Sequence, residues 1–336
     1  MSSPADISIL LPARNAAATL PACLRSIQRQ RYSTWHCLII DDGSTDATAD
    51  CVRAFAAGDA RFELQRQQHR GLVASLNTGL ALCHGRFIAR MDADDIMHRD
   101  RLVAQAAQLD GAPHLSAVGC HVRLFPRHTL GPGWREYEAW LNSLHTADDV
   151  QADAFVECPL AHPTLLLRRD VARAYGYRDV AWPEDYDLLL RLLADGHQLG
   201  VVPRRLVGWR QHAERLTHRD PRYRREAFPI CKAHFLSTGL LSGHERYILW
   251  GYGGTGRSLR CSLLPYGKHP AYVVEMHAGR LGNQIHGAAV ISPEQLRDIP
   301  HLPLIASVAG TEPRQQIRRF VTRLGWQEGR DFVCAA

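Results

Sequence analysis

Arg86-Phe87-Ile88-Ala89-Arg90-Met91-Asp92-Ala93-Asp94-Asp95 runs a short β-like segment directly into three carboxylates within four residues. Backbone that leaves a strand for a turn can aim alternate side chains at one point, and hard divalent cations require converging oxygen ligands. Two readings are open for this stretch alone. It is either a metal-diphosphate site or an acidic turn that ends a strand and caps the next helix, and the neighbouring segments decide.

Upstream, Ile7-Ser8-Ile9-Leu10-Leu11 is a compact apolar run closed by Pro12, which predicts a buried strand. Leu20, Leu24 and Ile27 recur at helical spacing. A second apolar run, Cys37-Leu38-Ile39-Ile40, stops at Asp41-Asp42-Gly43-Ser44-Thr45-Asp46, where Ser44 or Thr45 is placed to cap the helix carrying Val52 and Phe55. Leu72, Leu76, Leu80 and Cys83 mark a third helix before the Arg86 strand. Strand and helix alternate with short links, so an α/β fold with a parallel sheet and covering helices is expected. Ligands gather at the carboxyl ends of such strands, and both acidic turns lie there.

The middle is less regular, broken by Pro126, Gly131, Pro132 and Gly133. A helix is expected over residues 134–144, a strand over 164–167, a leucine-rich helix over 186–193 and a strand over 199–202. Residues 218–244 read as a polar, mostly helical connector, after which the strand and helix rhythm restarts at Tyr247. The expected division is a first domain over 1–217, a connector over 218–245 and a second domain over 246–336.

With 336 residues the chain has room for about two domains, each burying its own core. Its 46% hydrophobic and 22% charged content is that of an ordinary globular protein. A net charge of +6 suits anionic small molecules or loose, peripheral attraction to an acidic membrane surface. It is not gathered into the stripe that nucleic acid would need, so no nucleic-acid partner is expected. The nine cysteines form no C-x-x-C pair and no cluster at zinc spacing, which fits thiols kept reduced as small core residues. No stretch approaches a membrane span and no leader pattern is read, so a cytoplasmic location is expected, with peripheral association at the inner membrane face compatible with the charge.

The ordered set now becomes specific. Residues 7–15 (Ile7 to Asn15 in the order ISILLPARN), the Asp41 turn, Arg70-Gly71-Leu72-Val73-Ala74-Ser75-Leu76-Asn77-Thr78-Gly79, and Met91 to Asp95 are followed by His162-Pro163-Thr164, Pro183-Glu184-Asp185-Tyr186-Asp187-Leu188 and Trp209-Arg210-Gln211-His212. In order and spacing this resembles family 2 glycosyltransferases of the GT-A fold over roughly residues 5–215. The resemblance implies a nucleotide-diphospho-sugar transferase domain whose donor is a nucleotide-diphosphate sugar, with Mn²⁺ or Mg²⁺ stabilising the leaving diphosphate as a Lewis acid. It implies Asp94 as direct metal ligand, Asp92 near the ribose or a metal-bound water, Asp95 as support of the turn, and His212 at the metal or diphosphate, with His218 as its neighbour and rival. Pro12, Arg14, Asp41, Asp42, Arg70 and Gly71 would line the nucleotide cleft. The family more often carries an aromatic residue where Arg14 stands, so phosphate contact or stacking by the guanidinium takes the place of base stacking. Glu184 and Asp185 open a helix, where acidic residues suit capping. The resemblance implies in addition that Asp185 is the general base of an inverting transfer, with Glu184 next in line, and that His162 shapes the acceptor side. The acceptor would be a glycan, a lipid-linked sugar or a small molecule.

Farther on, Tyr247-Ile248-Leu249-Trp250-Gly251-Tyr252-Gly253-Gly254-Thr255-Gly256 is an apolar strand entering G-x-G-x-x-G, and Glu275 follows at the distance of a ribose-binding acid. This part resembles the small Rossmann-like nucleotide-binding α/β domain of some bacterial sugar acetyltransferases and certain glycosyltransferases. Two readings stay open for it: a nucleotide or sugar nucleotide held on Gly251, Gly253 and Gly256 at the helix N-terminus, or a degenerate fold kept for docking in which the glycines serve only tight packing. Two other functions remain to be distinguished: a sugar-nucleotide-binding regulatory protein and a metal-dependent nucleotidyltransferase. The second would expect a phosphate-gripping loop near the first strand, and Asn15-Ala16-Ala17-Ala18 supplies none.

Overall fold

A computed structural model describes residues 5–213 and 215–336; the side chain of His218 lies outside the described residues. The chain divides into two compact units, one of Met1–Val150, Leu160–Asp179 and Glu184–Arg215, the other of Gln151–Pro159, Val180–Pro183 and Leu216–Ala336.

The first unit is built on strands β1 (Ile7–Ala13), β2 (Trp35–Asp42), β3 (Phe62–Gln67), β4 (Phe87–Arg90), β5 (Ile96–Met97), β6 (Leu115–Phe125), β7 (Leu166–Arg168) and β8 (Gln198–Arg210). They form one eight-stranded sheet in the order β3-β2-β1-β4-β7-β6-β8-β5. Every residue of β1 is buried, as an interior parallel strand with both faces covered requires. β1 runs parallel to β2 on one side and to β4 on the other, so the winding direction reverses between β1 and β4. Such reversal opens a crevice beyond the carboxyl ends of the strands.

The helix Leu20–Gln28 covers this part by burying Leu20, Cys23, Leu24 and Ile27, the i, i+3, i+4, i+7 stripe of an amphipathic helix. Its core partners include Ile7, Ile9, Leu11, Ile39, Phe62 and Phe87. Burying each such side chain contributes about 1.5–3 kcal/mol. The helix after β2 starts at Thr48, later than expected, and neither Ser44 nor Thr45 caps it. Asp46 Oδ1 instead accepts the Thr48 N–H at 3.0 Å, and Ser44 is used in the site.

The sheet is mixed rather than wholly parallel. β7 runs antiparallel to β4 and β6, and β5 antiparallel to β8, while β6 and β8 are parallel. Strand direction is dictated by crossover helices only where strand and helix alternate regularly, and that rhythm breaks between β6 and β8. The expected strand over 164–167 begins later because His162–Thr164 forms a 3₁₀ turn, and the strand expected over 199–202 extends to thirteen residues.

The second unit holds β9 (Arg246–Trp250), β10 (His269–Val274), β11 (Gln284–Ile285), β12 (Ala288–Ile291), β13 (Leu304–Ala306) and β14 (Phe332–Cys334), in the order β11-β12-β10-β9-β13-β14. All pairings are parallel except that of the edge strand β11. Leaving β11 aside, the order is 3-2-1-4-5, that of a doubly wound nucleotide-binding sheet. Residues 218–245, expected as a connector, are largely part of this unit. The helix Ala227–Thr238 sends Ala233 and Leu236 into one core with Tyr247, Leu249, Leu259 and Ile305. Lys232 Nζ on the same helix donates to the carbonyls of Val156 and Ala335, which ties Gln151–Pro159 and the C-terminus into the unit. Polar composition misleads here because the helix buries mostly small residues and one lysine whose charge burial disfavours, rather than a wide leucine stripe.

Among the described residues no helix is long and apolar enough to cross a membrane. Among the described residues no disulfide is formed, and of the cysteines only Cys51 and Cys261 are not buried.

Candidate functional site

Three strand ends are stitched together before any ligand is considered. At the end of β1, Pro12 is buried and Arg14 exposed. Asn15 follows with φ +48°, a left-handed conformation that Asn tolerates. Its N–H donates to Ser44 Oγ at 2.9 Å and its Oδ1 accepts the Thr45 N–H at 2.9 Å, which fastens β1 to the turn after β2. Asp41, fully buried, accepts the Ser44 N–H at 3.0 Å and pairs with Arg66 Nε at 2.9 Å.

Asp42 organises the next loop. Its oxygens accept the N–H groups of Arg70 and Gly71 at 2.9 Å each and Gln67 Nε2 at 2.8 Å, with His69 Nδ1 at 2.7 Å. Burial opposes the charge, yet these donors hold the carboxyl below its ordinary range. Gly71 has φ +90°, a conformation closed to most side chains, and opens the helix Leu72–Leu82. The carboxylates of Asp41 and Asp42 are therefore both engaged by the protein, and the Arg70 side chain is left exposed on the loop that Asp42 shapes. Asn77, on the helix that follows, clamps the backbone of Tyr177 through bonds of 2.8 and 2.9 Å.

Beyond β4 the acidic turn converges. One carboxylate oxygen from each of Asp92, Asp94 and Asp95 lies within 4.8 Å of the others. Asp92 and Asp94 are half-buried and Asp95 is fully buried. The pairing of Ile96 with Gly208 lays the end of β8 beside this turn. Arg210 then donates its backbone N–H to Asp95 Oδ1 and its Nε to the Asp94 carbonyl, each at 2.7 Å. His212 Nε2 lies 2.8 Å from Asp94 Oδ2. Asp95 Oδ2 is buried and has no partner. Burial raises the Asp95 carboxyl well above its usual range, Arg215 pulls the other way, and the charges of Asp92 and Asp94 add to the rise. Three converging carboxylates, one with an orphaned buried oxygen, plus an imidazole fit a small divalent cation with an oxygen-rich shell.

Two cations missed by the sequence reading frame this cluster. Arg90 Nη1 lies 2.5 Å from Asp92 Oδ1, and Arg90 is only 2% exposed. Burial works against its charge, but Asp92, Tyr177 and Glu184 keep it firmly cationic. Arg215 Nη2 lies 3.6 Å from Asp92 Oδ2 and its Nη1 3.7 Å from Asp95 Oδ1. Arg90 had a legible signal: it is a charge in the alternation of an apolar strand, two residues before the first carboxylate. Arg215 had none, since its role depends on where β8 ends.

Asp185 sits in the first turn of the helix Glu184–Ala194 and accepts the Tyr186 N–H at 2.8 Å. Burial, reinforced by the adjacent Glu184, pushes its carboxyl up to about 7. Glu184 is 1% exposed, with His162 Nδ1 3.8 Å away. His162 is a packed residue whose Nε2 meets the Tyr177 hydroxyl at 2.8 Å, and burial followed by the nearby Arg90 charge keeps its ring neutral. Asp187 is structural, forked between Arg178 and Arg191.

In the second unit, Gly251 and Gly256 follow β9 at the point where the winding reverses between β9 and β13. A Cβ on Gly256 would stand 2.4 Å from the Gly251 carbonyl oxygen and 2.6 Å from Ser307 Oγ. Gly253 precedes the helix Gly254–Leu263, and a Cβ there meets nothing. Glu275 folds onto the loop, accepting the Tyr252 N–H at 3.1 Å with Arg280 at 3.3 Å. Gly256→Ala is expected to cost about 1–3 kcal/mol, because backbone rather than a flexible side chain opposes the methyl. Thermal unfolding checks this, with an unchanged melting curve as the contrary result.

Comparison with known proteins bears on the family and the fold. The model of the family Glycosyl transferase family 2 matches residues 8–176. An uncharacterized glycosyltransferase of Haemophilus influenzae is 27% identical over 61% of this chain and 65% of its own length. The putative glycosyltransferase EpsE of Bacillus subtilis is 30% identical over 58% of this chain and 69% of its own. The Escherichia coli UDP-Glc:alpha-D-GlcNAc-diphosphoundecaprenol beta-1,3-glucosyltransferase WfgD is 36% identical over 31% of this chain and 40% of its own. Among solved structures, S. aureus TarS 1–349 in complex with UDP-GlcNAc is similar with a TM-score of 0.55 at 14% identity, covering 78% of this chain and 71% of TarS. The Pyrobaculum calidifontis mannosyltransferase PcManGT, in complex with GDP-Man and Mn2+, is similar with a TM-score of 0.51 at 20% identity, over 70% of this chain and 63% of its own.

Proposed function

The chain belongs to glycosyl transferase family 2, and from that premise we propose that it is an inverting, divalent-metal-dependent glycosyltransferase moving a sugar from a nucleotide-diphosphate donor to a hydroxyl acceptor. The observation that carries this reading is the pairing of the Asp92, Asp94 and Asp95 cluster with a separate carboxyl, Asp185, poised near neutrality. Widely different environments for carboxylates of one site are how acid-base and electrostatic roles are divided.

Asp94, Asp92 and His212 would hold Mn²⁺ or Mg²⁺, and the ion would supply Lewis-acid stabilisation of charge on the departing diphosphate. Asp95 fixes the end of β8 and adds its free oxygen to the cluster. Arg90 and Arg215 offset the carboxylate charge. Asp185 takes the proton of the acceptor hydroxyl as that oxygen attacks, with Glu184 behind it keeping its affinity for a proton high. Pro12, Arg14 and Arg70 line the nucleotide side, on a frame built by Asp41, Asp42 and Gly71.

The E. coli relative's name specifies a lipid-linked acceptor, and a positive net charge favours a position against an acidic membrane face. Both support a glycan or lipid-linked acceptor used from the cytoplasmic side in surface-glycan synthesis. Donor hydrolysis over a panel of UDP- and GDP-sugars, with Mn²⁺, Mg²⁺ or a chelator, tests the reading. Turnover indifferent to chelation removes the metal, and binding without any turnover favours a regulatory protein. Transfer of a nucleotidyl group instead of a sugar favours the nucleotidyltransferase.

In the second unit, the switch-point position of Gly251, Gly253 and Gly256 supports binding of a second nucleotide. Calorimetric titration of the full chain with UDP, GDP and NAD is expected to show two binding events for one of them. Gly253→Asp, which adds a carboxylate in open space before a helix N-terminus, is expected to abolish one event. A single event in the parent leaves this unit without a nucleotide.

A further inference from the structure

The helix Pro132–Leu141 is fixed against β6 by polar side chains. Asn142 exchanges two bonds of 2.9 Å with the Val122 N–H and carbonyl, and Glu138 Oε1 accepts the Leu124 N–H at 2.9 Å. These contacts set its register and leave Trp134, Tyr137 and Trp140 repeating every third residue, each half-buried. Trp209, near the end of β8, completes the group, with its ring 6.5 Å from Trp134 and 6.2 Å from Tyr137, while Tyr137 and Trp140 stand 5.7 Å apart.

One guanidinium joins this aromatic group to the carboxylate cluster. The Arg215 guanidinium lies 5.3 Å from the Trp209 ring centre and reaches Asp92 with its Nη2. Beside it are polar atoms that the described residues leave unmet. Trp209 Nε1 and both terminal atoms of the Gln211 amide have no hydrogen-bond partner, although the two residues are only 8% and 7% exposed. Alternation along extended backbone puts Trp209 and Gln211 on one face, opposite Arg210, whose Nε serves the Asp94 carbonyl.

Buried donors and acceptors without partners demand an explanation, and here a donor and an acceptor stand unmet beside a group of aromatic rings packed edge-to-face and tilted. A lipid chain would cover the rings and leave the amide unsatisfied. A pyranose ring offers an apolar C–H face to the rings together with hydroxyls that both donate and accept, which is the complement of what the protein presents. We propose that Trp134, Tyr137, Trp140, Trp209 and Gln211 form the platform that binds a pyranose of the acceptor next to the donor site. This rests on the glycosyltransferase reading and adds to it the acceptor class and the residues that hold it.

The test uses the full chain loaded with UDP or GDP and Mn²⁺, titrated with methyl glycosides of glucose, galactose, mannose and N-acetylglucosamine and followed by calorimetry and tryptophan fluorescence. At least one glycoside is expected to bind saturably. Trp140→Ala should weaken it about tenfold or more, with Trp140→Phe recovering most of the loss. Gln211→Leu should weaken it about tenfold while melting at or above the parent, because it removes a buried unsatisfied amide. A purely structural glutamine would not separate these two readouts. Binding within about twofold of the parent in Trp140→Ala and Gln211→Leu overturns the platform, as does failure of every glycoside to bind. Loss of binding to phosphatidylglycerol vesicles in Trp140→Ala, with glycoside binding intact, reassigns the aromatic row to a membrane surface. A parent that hydrolyses no sugar nucleotide sinks the glycosyltransferase reading and the platform with it. Normal donor hydrolysis with glycoside binding indifferent to these residues sinks the platform alone.

Discussion

Asp94→Asn is expected to lower metal-stimulated donor turnover by about 10²–10³-fold, the scale of losing a ligand from an ion that supplies several kcal/mol of transition-state stabilisation. The amide keeps the size of the carboxylate but not its charge. It also weakens the contact with His212 Nε2, which lies 2.8 Å from Asp94 Oδ2, so two of the three residues proposed to hold the ion are disturbed by one atom's change. The fold should survive, because Asp94 is half-exposed and the turn is held by other bonds. Asp95 N donates to the Asp92 carbonyl, and Arg210 bonds the Asp94 carbonyl rather than its side chain. Initial rates against Mn²⁺ concentration check this alongside a melting curve. Activity within about twofold of the parent at saturating metal would remove Asp94 from the ligand set.

Asp185→Asn should abolish transfer to the acceptor, by about 10²–10⁴-fold, while leaving nucleotide affinity intact. In the parent, the Asp185 carboxyl is pushed up to about 7 by burial and by Glu184. A base acts when deprotonated, so the transfer rate should climb with pH through about 7 and level off above it. Below that point each pH unit should cost about a factor of ten. The Asn variant should lose this limb along with the rate. Asparagine can still accept the Tyr186 N–H, so a role confined to helix capping predicts near-normal transfer from the same variant. Transfer that persists with the parental pH profile would move the base to Glu184.

Much of the donor half was legible in the chain because it is built from local signals. The apolar runs ending at Pro12, Asp41 and Met91 sit between helical stripes, and a strand-helix-strand unit has one favoured hand and one place to bind a ligand. Asp92, Asp94 and Asp95 are neighbours in sequence, so their convergence needed only a turn. The ordered motifs were enough to indicate the family. The glycines after Tyr247 were similarly readable, since close approach of Gly256 to the Gly251 carbonyl is a local constraint within six residues.

What the tertiary structure decided are relations between distant segments. No periodicity reveals that β7 runs antiparallel to β4, because direction there is chosen by packing after the crossover rhythm has lapsed. Asp42 is expected in the nucleotide cleft from its place after a strand, and only the folded loop brings four donors from residues 67–71 onto its oxygens. Arg215 counts as part of the acidic cluster because β8 continues to Arg210 and carries it there. Residues 218–245 belong to the second unit because Ala233, Leu236 and Lys232 find partners far away in sequence, and a helix that buries small side chains shows little amphipathic pattern. The sequence by itself determined where carboxylates and glycines meet the ends of strands. Which of those groups remain available to a ligand depends on the desolvation and hydrogen bonding that distant segments impose, and those exist only in the folded chain.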